Sequence, residues 1–283
     1  MNFGSRLRAR RSNDEAVYVS EHRGVRSLHI GSDIIQSSMR IARPDDLELA
    51  YARGLMAFLL FNPQPRRVLM IGLGGGSLAK FIYRRMPETR ITAVEINPRV
   101  AAVARDCFGL PPEDGRFRIV IGDGADYLDG RRACADVIVI DGYDAQKQAA
   151  SLVTADFYRA CVAALTQDGI VTANLWSDDG QPGRCLGRIA ETFPGGAVSF
   201  KAGRHGNLAV LGFKREPAAA LWQALDERAV ELERAYQLEF PRFVAAMRGR
   251  PGGAAPAPAF NQRPDMKKLT QVKVSTGDGH DRS

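Results

Sequence analysis

The apolar residues of this chain fall into two alternating rhythms between about residues 66 and 193. Blocks that are apolar almost without a break, "RVLMIGL", "RITAVEIN", "FRIVIGD", "ADVIVIDGY" and "GIVTANLW", are short enough to be strands. Between them lie "SLAKFIYRRM", "PRVAAVARDCF", "GADYLDG", "TADFYRACVAAL" and "GRCLGRIAETF", whose apolar residues recur at helical spacing. Pro98 suits the first turn of its helix, and Thr154 suits an N-cap. Strands apolar on both faces, each followed by a helix, predict a parallel sheet covered on both sides. The pattern then changes. "AVSFKA", the turn "GRHGN" and "LAVLGFK" read as a hairpin, so one late strand should run antiparallel.

The flanks differ from this core. Residues 1–14 lack apolar periodicity and are expected to be disordered. "AVYVSEHRGVRSLHIGSDIIQSS", punctuated by "HRG" and "GSD", predicts two or three antiparallel strands. "PDDLELAYARGLMAFLLF" predicts a linking helix, closed by "NPQP". These make a small N-terminal β region over 15–62. Residues 63–248 form the α/β domain, ending in one helical segment from 217 that stops near Pro241. Beyond it, 249–283 reads as a disordered tail rich in Pro, Gly and polar residues.

Composition narrows the class. The formal charge is +7 over 283 residues, but it sits at the ends. Residues 1–12 carry four arginines and no acid, and 248–283 carry seven Lys/Arg against three Asp. The remainder is nearly neutral, so no folded basic face and no specific nucleic-acid partner is expected. The longest apolar run, "LMAFLLF", is far too short for a bilayer. The first twenty residues have no signal-peptide h-region. Cys107, Cys134, Cys161 and Cys185 are widely spaced, which predicts reduced thiols of a cytoplasmic protein and no metal site.

The candidate chemistry lies at the strand ends. Gly72, Gly74 and Gly76 follow the first parallel strand and let backbone approach a ligand closely. Glu95 ends the next strand, where an acid accepts hydrogen bonds from ribose hydroxyls. Asp123 and Gly124, in "GDG", end the third strand; the carboxylate can accept an adenine amino group or cap the following helix. Asp141 ends the fourth, with Asp144 close behind, at the topological switch point where substrates bind. The alternative reading of Asp144 is that it only shapes its loop.

Taken in order, these motifs resemble the spermidine synthase family, the polyamine aminopropyltransferases, from Tyr18 to Lys214. The match includes Gln36, Glu48 and Tyr51, the glycine loop from Gly72 to Ser77, Glu95 in "VEIN", Asp123 in "GDG", and a loop after Asp141. The resemblance implies a class I methyltransferase-like Rossmann fold preceded by a small N-terminal β domain. It implies decarboxylated S-adenosylmethionine as co-substrate, a small amine such as putrescine as acceptor, no metal, and a homodimer. Asp141 becomes the proton acceptor, Asp144 an amine ligand, and Tyr51, Tyr143 and Gln36 the lining of the amine channel.

Three departures keep other readings open. Gly75 stands where the family places an aspartate that repels the carboxylate of intact S-adenosylmethionine. Arg53 stands where the family has an acid facing polyamine, and Lys147 adds a cation to the acceptor loop. A methyl- or aminocarboxypropyltransferase using intact S-adenosylmethionine is therefore the alternative, with a non-catalytic nucleoside-binding relative as the third reading. NAD chemistry fits less well, because "GDG" and the terminal hairpin are not its pattern.

Overall fold

The computed structural model describes residues 16–142, 149–176, 182–203, 206–249 and 270–272. At the N-terminus β1 (Val17–His22), β2 (Val25–Ile30) and β3 (Ile35–Arg40) form an antiparallel meander. Arg23 and Gly24 join the first two, both with positive φ (48° and 74°), the backbone that matches a tight hairpin to strand twist. The expected disorder of 1–14 lies outside the described residues.

The linking segment is shorter as a helix than its pattern suggests. Only Ala50–Leu55 (α1) is α-helical, followed by a 3-10 turn over Met56–Leu60. The acids before it are held elsewhere: Glu48 pairs with Arg40 of β3 at 2.7 Å instead of starting the helix. The 3-10 turn is wholly buried, which accounts for the unbroken apolar run there.

The central sheet has seven strands. β4 (Arg67–Ile71), β5 (Arg90–Glu95), β6 (Phe117–Ile121), β7 (Ala135–Ile140) and β8 (Leu165–Trp176) are parallel; β9 (Ala197–Lys201) and β10 (Asn207–Phe213) form the hairpin, with β10 antiparallel to β8. The spatial order is β6-β5-β4-β7-β8-β10-β9. The order in which strands are added reverses between β4 and β7, which makes their carboxyl ends the topological switch point. The intervening helices are α2 (Ser77–Arg85), α3 (Pro98–Phe108), α4 (Gly124–Leu128), α5 (Ala155–Ala164) and α6 (Pro182–Thr192). Pro98 lies in the first turn of α3 behind the N-cap Asn97, and Thr154 Oγ1 accepts from Phe157 N at 3.1 Å to cap α5. The sheet separates two apolar clusters, so its strands are buried on both faces.

The segment 217–247 is three helices, not one: α7 (Ala219–Gln223), α8 (Leu225–Tyr236) and α9 (Phe240–Met247). Gln237 takes a left-handed conformation (φ 58°) that ends α8. Pro241 does not stop a helix but lies in the first turn of α9, where its missing N–H costs nothing. The tail also contributes structure: Thr270–Val272 forms β11, antiparallel to β1. The open edge of β1 offers unpaired backbone groups, which a β-prone Thr-Gln-Val segment can satisfy.

The N-terminal sheet rests on the larger domain. Val19, Leu28 and Met39 share a small core with Val100, Val103 and Phe108 of α3. Buried Lys80 of α2 donates to the carbonyls of Pro44 and Phe108, both at 2.7 Å, and contacts Met39 Sδ at 3.0 Å. Desolvation pushes its ammonium down to about 8, against the pull of Asp45. This side chain ties the β region to the sheet domain, so the site below is built from both.

Candidate active site

Four strand tips stand side by side at the carboxyl edge. Asp141 N donates to Ile71 O, Gly72 N to Val94 O, and Gly122 N to Glu95 O, each at 2.9 Å. Asp123, Glu95, the glycine loop and Asp141 thus follow one another along one edge. Gly72 has φ 99°, and a Cβ there would sit 2.3 Å from the carbonyl oxygen of Asp141. The glycine is required by the approach of two strand tips, a cause separate from any ligand. Gly74 and Gly76 also take positive φ, and Gly76 precedes α2. At Gly124 a Cβ would meet Ile71 Cγ2 at 2.3 Å, so this glycine lets α4 close on β4.

Glu95 is buried, and each carboxylate oxygen accepts a backbone N–H: Oε2 from Leu73 and Oε1 from Asn97, both at 2.9 Å. Burial pushes its carboxyl above the ordinary value, partly opposed by N–H groups of Asn97, Leu73, Gly74 and Ile96. The acid therefore braces the glycine loop, with both of its oxygens engaged. Beside it, Ile96 and Ile121 are 45% and 48% exposed. Apolar side chains left open around a buried acid suit a flat ring joined to a hydroxyl-bearing sugar. Sequence reasoning missed these two residues, because an isoleucine ending a strand looks like core. Asp123 caps α4 by accepting from Ala125 N at 2.7 Å; the helix-capping reading is thus realised, with one oxygen so engaged.

Asp141 anchors the second half of the site. Asn174 Nδ2, from β8, donates to its Oδ1 at 3.1 Å. Tyr51 Oη of α1 lies within hydrogen-bond reach of its carboxylate and of the Gln36 carbonyl, at 3.0 Å from the latter, and its single proton serves one of these acceptors at a time. Burial pushes Asp141 up to about 6, with the Asn174 and Tyr51 bonds pulling the other way. The structure therefore brings Gln36 and Tyr51 of the N-terminal region to Asp141. Asn174 was missed by sequence reasoning, although an amide at the carboxyl end of "GIVTANLW" was a readable signal. Tyr143, Asp144 and Lys147 lie outside the described residues.

Arg53 requires a correction. It does not face an acceptor: its guanidinium pairs with Glu239 at 2.9 Å and donates to the carbonyls of Leu47 and Glu48. The charge is spent joining the linking helix to the start of α9, so its sequence position beside Ala52 gives no evidence for a different substrate. Gly75 also has a packing cause. A Cβ there would lie 2.8 Å from Ser37 Oγ and 3.0 Å from the Phe108 ring. Among the described residues no group of three or more His, Cys, Asp or Glu could hold a metal ion. No described helix is long and apolar enough to cross a membrane.

The sheet is of the class I methyltransferase-like kind, with an acid at its second strand tip and a half-buried carboxylate at the switch point. Comparison with known proteins gives the family. Residues 48–176 match the model of the spermine/spermidine synthase domain. A polyamine aminopropyltransferase of Chromobacterium violaceum is 45% identical over 228 residues, covering 81% of this chain and 87% of the relative. Another, of Neisseria meningitidis serogroup A, is 42% identical over 244 residues, covering 86% and 93%. A solved spermidine synthase in complex with the transition-state analogue AdoDATO superposes with TM-score 0.64 at 22% identity, over 84% of this chain and 86% of that one. The chain belongs to the polyamine aminopropyltransferase family and is a transferase.

Proposed function

We propose that this enzyme transfers an aminopropyl group from decarboxylated S-adenosylmethionine to a small amine such as putrescine. The observation that carries the reading is Asp141: a half-buried carboxylate at the switch point, desolvated enough to raise its pKa, within reach of Asn174 and Tyr51 and beside the glycine loop. A protonated amine has no lone pair, so it must lose a proton before it attacks. Asp141 accepts that proton; the freed lone pair then forms the nitrogen–carbon bond as the carbon–sulfur bond breaks, leaving an uncharged thioether. Glu95 holds the ribose, Ile96 and Ile121 flank the base, and Asp123 and Gly124 border it. Gln36 and Tyr51 line the acceptor side, together with Tyr143 and Asp144. In this division the 15–62 region serves the acceptor and the 63–248 domain serves the donor.

The pH dependence tests this directly. Because burial raises Asp141 to about 6, the base form is lost as pH falls through that value. The expected kcat/KM with putrescine falls about tenfold per pH unit below the midpoint. An acidic limb near 4, where an ordinary aspartate titrates, would remove Asp141 as the base.

Donor choice rests on the space at Gly75. Gly75→Asp alone crowds Ser37 and the Phe108 ring, whereas Gly75→Asp with Ser37→Gly gives the carboxylate room. The double variant should raise the preference for decarboxylated over intact donor by about tenfold, since one added charge contact near a surface is worth roughly 1 kcal/mol or more. The ratio of kcat/KM for the two donors reads this, and an unmoved ratio removes position 75 from donor choice.

On this reading the enzyme works in the cytoplasm as a homodimer. All four cysteines are free thiols, which suits a reducing compartment. β3 ends its sheet and leaves an edge for a second copy. Sedimentation at the mass of one chain would contradict the dimer.

A further inference from the structure

We propose that Asn207 is a positioning residue that, by donating to Asn174, locks the Asn174 amide with its NH2 toward Asp141 and thereby fixes the reactive carboxylate. This rests on the role of Asp141 given above. Asn207 Nδ2 donates to Asn174 Oδ1 at 3.0 Å, and Asn174 Nδ2 donates to Asp141 Oδ1 at 3.1 Å. The register explains the contact: Ala209 of β10 lies opposite Asn174, so Asn207 is its diagonal neighbour on the same face.

The orientation follows from donor chemistry. An ionised carboxylate only accepts, so the Asn174 amide must turn its NH2 to Asp141 and its oxygen away. That oxygen then meets a donor from Asn207. Asn174 is 5% exposed, so bulk water does not readily replace this partner. Without Asn207, the amide loses the donor that holds its oxygen away from Asp141. An amide oxygen facing Asp141 suits the protonated carboxyl, which donates, and disfavours the base form. Asn207 therefore keeps Asp141 ready to receive a proton, although it touches neither substrate nor the reacting atoms.

Among the described residues, Asn174 from β8 and Tyr51 from α1 reach its carboxylate, while Gly72 from β4 packs on its backbone without a side chain. Among the described residues, its upward shift stems from burial, with these two bonds pulling the other way.

The test is a carboxyl 13C NMR titration of the full chain labelled at aspartate, with the Asp141 signal assigned by its loss in Asp141→Asn. Asn207→Leu should move the Asp141 midpoint upward by about half a pH unit or more, as expected for loss of a bond that favours the charged form. The acidic limb of kcat/KM should rise with it. Asn207→Ala, a smaller change, is read in the same way if the leucine variant does not fold. A midpoint that rises while the limb stays fixed supports the positioning role and overturns Asp141 as the base. A midpoint unchanged in both variants overturns the role of Asn207, whatever happens to turnover.

Discussion

Asp141→Asn should lower the turnover of aminopropyl transfer by about a thousandfold, within the range a positioned general base supplies. The substitution keeps the volume at the β7 tip, so the fold and the Glu95 half of the site stay intact. Asparagine cannot accept the ammonium proton. Its amide can still turn an oxygen to Asn174, which preserves the local bond at the cost of the base. Calorimetry should find affinity for methylthioadenosine unchanged within about twofold, because that ligand carries no acceptor amine. Steady-state turnover within tenfold of the parent would show that the proton leaves by another route.

Glu95→Ala should have the opposite signature. Its oxygens accept from Leu73 N and Asn97 N, so alanine removes the ribose acceptor and the brace of the glycine loop together. Losing hydrogen bonds to a charged group costs about 1.5–3 kcal/mol, which corresponds to roughly a hundredfold weaker binding of adenosyl ligands. At saturating donor, turnover should stay within a few-fold, since Glu95 is remote from the proton transfer. Calorimetry with methylthioadenosine reads the loss, and a melting curve shows that the variant is folded. Unchanged affinity would place the nucleoside elsewhere.

The parts of this account that were legible in the sequence are those set by local rules. The sheet strands showed as apolar blocks, Pro98 and Thr154 marked helix starts, and the late hairpin gave the antiparallel β10. Glu95 and Asp141 were readable because an acid after a fully apolar run has few structural reasons to be there. What remained hidden depends on contacts between distant segments. Nothing near Arg53 in sequence indicates that Glu239 neutralises it. Gly75 looks like a missing acid until Ser37, from another sheet, is found beside it. Asn174 and Asn207 meet only because β10 folds back on β8. The ends of 217–247 failed for a related reason: helical periodicity continues through Gln237, while the backbone turns there to pack α9.

The central claim is that a carboxylate at the switch point turns an adenosyl sulfonium and an amine into a longer polyamine. Quantitative mass spectrometry of the products from decarboxylated S-adenosylmethionine and putrescine tests it most directly. The account predicts spermidine and methylthioadenosine in equal amounts, with both lost in Asp141→Asn. A methylated or aminocarboxypropylated amine formed from the intact donor, and no spermidine from the decarboxylated one, would contradict it.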